Sequence, residues 1–117
     1  MLTNADVWKV CRALPGSTDQ VQWENDRVFK VGGKMFACTG LNKSQPYSFK
    51  VETHRFLELT DQPGIRPAPY LARFHWVQVV PGECVLSNQE LRALLRGSHA
   101  LVLSGLSGKK QSEIMNT

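Results

Sequence analysis

The sequence predicts an α+β domain, a two-layer sandwich of a five-stranded antiparallel sheet covered by helices in the order α-β-β-β-β-α-β-α. Three observations carry this reading. Capped amphipathic stretches open and close the chain, short alternating segments punctuated by turn residues fill 21–51, and one more such segment precedes the last helix. Connections this short suit antiparallel neighbours.

The elements follow in order. Thr3 is placed to cap a first helix, with Asp6 three residues on and a Leu2–Val7 staple around it. Val7, Val10, Cys11 and Leu14 then trace one helical face, and Pro15-Gly16 ends it. Val21–Glu24 alternates, and Asn25-Asp26 suits the positive-φ positions of a tight turn. Val28–Val31, Gly32-Gly33 and Lys34–Thr39 read as a two-residue hairpin. A loop over 40–46 leads to a fourth strand, Tyr47–Val51. Thr53 can cap a short second helix carrying Phe56, Leu57 and Leu59, which Pro63-Gly64 stops. Pro67 and Pro69 mark a turn-rich connection with one helical turn near 70–73. His75–Val80 is the fifth strand. Ser87 and Glu90 form a capping box for the third helix, whose face is Leu91, Leu94, Leu95, Ser98, Leu101 and Val102. Gly97 weakens that helix, Gly105 and Gly108 end it, and the tail beyond Lys110 reads as frayed.

A chain of 117 residues fills one domain, 1–117, with no linker or internal repeat. Its 42% apolar and 21% charged residues exclude disorder and low complexity. The net charge of +4 is shared evenly between the two halves, so there is no basic tail; a nucleic-acid or acidic partner is permitted but not demanded. Cys11, Cys38 and Cys84 are odd in number and lack metal or redox spacing, which suits buried thiols in a reducing compartment. With no leader-like N-terminus and no run long enough to span a membrane, the expected location is cytoplasmic.

Four segments carry a family resemblance: Leu14-Pro15-Gly16, Val28–Ala37, Phe49-Lys50-Val51, and Pro63–Val77. Together they resemble the MmcQ/YjbR family of small bacterial proteins, in order from about residue 5 to about residue 110. The resemblance implies an α+β fold similar to that of secretion chaperones. It also implies the family's usual label, a DNA-binding protein, and it brings no catalytic residues. Two positions depart from the family pattern. Ser98-His99 stands where a Ser-Tyr pair is common, and Gly105-Leu106-Ser107 where Lys-Leu-Pro is common.

Strand alternation suggests where a ligand would bind. If Phe29, Val31, Phe49 and Val51 face the core, Lys30 and Lys50 point the other way; if Val77 and Val79 face the core, Trp76 and Gln78 also point outward. The expected nucleic-acid-binding set is Lys30, Lys50 and Trp76 on the open sheet face, with Lys34 and Arg73 at its edge. Lysines would meet phosphate and Trp76 would stack on a base; against this stands the plain alternative of solvated lysines and a packed tryptophan. Trp8 and Trp23 read as core or rim packing rather than surface anchors.

No catalytic, cofactor or metal site is expected. His54, His75 and His99 lack ligand spacing, and His75 with Cys38 or Cys84 lacks an orienting group. Gly105–Lys110 has neither the spacing of a phosphate loop nor the helical context of a Gly-x-x-Gly clamp, and no carboxylate pair marks an acid/base couple. Two functions remain: a non-enzymatic DNA-binding domain using the basic sheet face, and a protein- or peptide-binding adaptor, with the oligomeric state open.

Overall fold

The structure is a computed structural model and describes residues 2–23, 25–42 and 44–116. Glu24, at the end of the first expected strand, and Lys43, in the 40–46 loop, lie outside the described residues. The first helix, α1 (Asn4–Arg12), starts as its sequence requires. The Thr3 hydroxyl accepts from the Asp6 amide while the Asp6 carboxylate accepts from the Thr3 amide. These hydrogen bonds, the backbone one foremost, hold the Asp6 carboxyl below the usual carboxylate range.

Six strands form one antiparallel sheet: β1 (Ser17–Gln22), β2 (Asp26–Val31), β3 (Lys34–Gly40), β4 (Tyr47–Lys50), β5 (Ile65–Pro67) and β6 (Trp76–Val79). Their spatial order is β1-β2-β3-β4-β6-β5. The β2–β3 hairpin closes on Val31 opposite Lys34, with Gly32 and Gly33 at φ +58° and +81° as a two-residue turn of that hand demands. A side chain at Gly32 would also strike Leu106, its Cβ falling 2.5 Å from a leucine methyl.

The sixth strand corrects the expected five. Ile65–Pro67 is short and ends on a proline, so its pattern reads as a turn. At the sheet edge, however, a missing N–H costs no ladder bond. The first strand likewise begins at Ser17, earlier than expected, because Ser17–Gln22 pairs residue for residue with β2. Asp26 is held in that ladder opposite Gln22, so neither it nor Asn25 adopts positive φ; Trp23 does. The helical turn expected near 70–73 is a 3-10 turn over Ala72–Phe74.

The second helix, α2 (Thr53–Thr60), has Glu52 rather than Thr53 at its cap position, and the Thr53 hydroxyl instead meets His75 Nδ1 at 3.3 Å. The long α3 (Asn88–Ser104) has the expected Ser87–Glu90 capping box. The tail is not frayed. It folds into α4 (Gly108–Met115), whose Ser107 cap accepts from the Lys110 amide and whose Ile114 packs on the core.

Helices α1 and α3 cover one face of the sheet. Phe29, Ala37, Phe49 and Val77 line up in register across four strands there, all fully buried. Val7, Cys11, Leu91 and Leu95 close over them. Each such large side chain removed from water contributes about 1.5–3 kcal/mol. No α-helix covers the opposite face among the described residues; the connection carrying the 3-10 turn crosses part of it, and the candidate site lies there.

Candidate functional site

A bulge in β3 shapes this face. Phe29 pairs with Ala37 but Lys30 with Met35, so Phe36 is the extra residue. It turns its side chain into the helix layer, where its ring meets His99 edge-on. The bulge parts the start of β3 from the end of β4, and Ser98 of α3 fills the gap. Its hydroxyl donates to the Phe36 carbonyl at 2.6 Å and accepts from the Lys50 amide at 2.9 Å. A cavity of about 380 Å³ sits at this opening, lined by Lys34, Met35, Lys50, Phe74 and Trp76 and by Leu101, Val102 and Gly105 at the end of α3.

Register fixes what else shares the face. Cys38, Ser48, Gln78 and Arg66 stand side by side on β3, β4, β6 and β5. Lys50 lies opposite Trp76, and Lys30 lies between Thr18 and Met35. The alternation argument therefore places Lys30, Lys50 and Trp76 on one face. The structure also brings Lys34 to the cavity that holds Lys50 and Trp76. Arg73 lies on the connection beside it, its guanidinium 4.8 Å from the Phe74 ring centre.

Trp76 is not offered to a ligand. It is 5% exposed, with Phe74 and Lys50 flanking it in the shared cavity, so it packs rather than stacks. The Lys50 ammonium donates to the Phe74 carbonyl at 2.7 Å and ties down the 68–75 connection. Exposed aromatic rings come from elsewhere. Trp23, expected to pack, is 65% exposed, and Tyr70 is 98% exposed. Both line a groove of about 520 Å³ whose floor includes Met35, Cys38, Ser48 and Gln78. Met35 also lines the Lys50 cavity, so the two hollows adjoin.

Sequence reasoning missed Trp23, Tyr70 and Arg66. Arg66 was hidden with its strand among the prolines.

Against that geometry, comparisons with known proteins are specific. The YjbR family model matches residues 12–101, most of the chain. The chain belongs to the YjbR family. Its similarity to the uncharacterized protein YbdF of Escherichia coli O157:H7 is 34% identity over 90 residues, 74% of this chain and 72% of that one. The crystal structure of Deinococcus radiodurans DR2400, assigned to the DUF419 domain, superposes with a TM-score of 0.84 at 31% identity, over 98% of this chain and 89% of that one. A Pseudomonas syringae protein of known structure shares the fold alone, at 24% identity and a TM-score of 0.60, over 73% of this chain and 86% of that one.

Within this YjbR chain, the departure at His99 has a clear structural consequence. Its ring Nε2 meets the Pro15 carbonyl at 2.7 Å, joining α3 to the end of α1 beneath Phe36. One ion-pair cluster stands out. On the helix side, Arg12 and Arg27 share the carboxylate of Asp19, and Arg27 also lies over the Trp8 ring, whose N–H donates to Thr39. Burial opposes ionisation of Asp19, but the two guanidinium hydrogen bonds outweigh it and lower its pKa. On the open side, none of Lys30, Lys34, Lys50, Arg66 and Arg73 has a carboxylate partner among the described residues. Burial pushes the Cys38 thiol up to about 12, so the groove floor carries a protonated thiol at neutral pH. Among the described residues, no three of His, Cys, Asp and Glu gather as a metal site would require, and no helix is long and apolar enough to cross a membrane.

Proposed function

We propose that this YjbR protein is a binding module for nucleic acid and not an enzyme, and that the sheet face turned away from α1 and α3 is its binding surface. The carrying observation is the set of cations gathered on that face. Lys30, Lys34, Lys50, Arg66 and Arg73 lie on and beside the open face and have no acidic partner among the described residues. Phosphates supply that partner and release counterions on doing so. The protonated Cys38 thiol supports binding over covalent chemistry, and three free cysteines support action in a reducing, cytoplasmic setting.

The test is fluorescence anisotropy with labelled DNA from about 50 to 200 mM salt. Binding should weaken linearly on a double-logarithmic scale as salt rises. Lys30→Ala with Lys34→Ala should reduce that slope by about 1–2, roughly one per phosphate contact. Neither side chain makes a hydrogen bond or ion pair within the described residues, so the fold is spared. Undetectable binding at low salt, or a double variant identical to wild type, overturns the proposal.

A further inference from the structure

The groove between Trp23 and Tyr70 is not accounted for by phosphate binding. We infer that it receives unstacked bases, which makes this surface selective for single-stranded over double-stranded nucleic acid; the inference rests on the proposed nucleic-acid function. Four observations converge on it. Two aromatic side chains stand largely in solvent, at 65% and 98% exposure, on the lining of one concavity. Both residues have φ in the left-handed region, +50° for Trp23 and +67° for Tyr70. Bulky residues rarely adopt that conformation, and strain of this kind gathers at ligand clamps.

The groove volume, about 520 Å³, lies within the range of about 300–1,000 Å³ typical of small-molecule sites. Its floor mixes the apolar Met35 with the Ser48 hydroxyl and the Gln78 side chain. Gln78 accepts from Arg66 through its carbonyl oxygen, at 2.7 Å. Its NH2 group and the Ser48 hydroxyl have no partner among the described residues, so both remain free to meet a base edge. Finally, Met35 joins the groove to the cavity bearing Lys34 and Lys50, so lysine side chains suited to phosphate continue directly from the stacking site. Aromatic rings beside a basic track are the arrangement that binds single strands without sequence preference. A duplex keeps its bases stacked and cannot place one in the groove without flipping it out.

The experiment compares a labelled oligothymidylate of about 20 nucleotides with a duplex of equal length, titrated with wild type, Tyr70→Ala, Tyr70→Phe and Trp23→Ala at several salt concentrations. Tyr70 is almost wholly exposed, so its truncation removes no core packing. The single strand should bind about tenfold or more tighter than the duplex. Tyr70→Ala and Trp23→Ala should each weaken single-strand binding by about tenfold at an unchanged salt slope, while Tyr70→Phe retains it. Equal affinity for duplex and single strand, insensitive to Tyr70 and Trp23, overturns the inference and leaves the phosphate-binding surface standing. Absence of binding to both probes at low salt overturns both.

Discussion

Ser98 shows how much one buried hydroxyl can govern. It satisfies the carbonyl freed by the β3 bulge and the amide that β4 does not give to β3. Ser98→Ala leaves both groups without their partner, at a cost of about 2 kcal/mol. Urea titration should show a lower midpoint with an unchanged slope. Neither partner was legible from the sequence, where Ser98 reads only as a small residue on the inner face of a helix; sequence separation of 62 and 48 residues puts both contacts beyond any local pattern. Lys30 and Lys50 were legible, since strict alternation in a strand flanked by buried aromatics leaves a lysine one direction to point. Trp76 obeys the same alternation yet is covered, because alternation assigns a face and says nothing about what crosses it.

Among the elements, α3 best joins local chemistry to the site. Its capping box starts it where the sequence indicates, and its inner face carries Leu91, Leu95 and Ser98. Gly97 lies within the unbroken helix, at a cavity lined by residues that include Val51, Arg55, Glu90 and Leu94. A Cβ there would have no atom within 4 Å. Gly97→Ala should therefore stabilise the domain by about 1 kcal/mol through helix propensity, raising the melting temperature by about 4 °C in calorimetry. Nucleic-acid affinity should stay unchanged, because the open sheet face is untouched. The short strand β5 illustrates the opposite case. Three residues ending in proline have no strand signal of their own and become a strand only because β6 offers Val77, Gln78 and Val79 as partners.

At the scale of the whole molecule, α4 docks on the turn that follows α1. Ile114 of α4 lies against Gly16, whose φ of +69° and lack of a side chain admit it; a Cβ there would sit 2.6 Å from the isoleucine. Ile114→Ala should cost about 1–2 kcal/mol, less than a fully buried position because the residue is partly exposed. Thermal unfolding should remain one transition if α4 belongs to the same cooperative unit. Helix class, sheet class, the Thr3 and Ser87 caps and the Gly-Gly hairpin were determined by the sequence alone, because each rests on periodicity or on contacts within a few residues; the family was carried by the resemblance of four segments. Tertiary structure alone decided the sixth strand, the docking of α4, the burial of Trp76 and the exposure of Trp23 and Tyr70. The reason is physical: those outcomes depend on which distant surface arrives to pair with or cover a segment, and that free energy belongs to both partners and is written in neither.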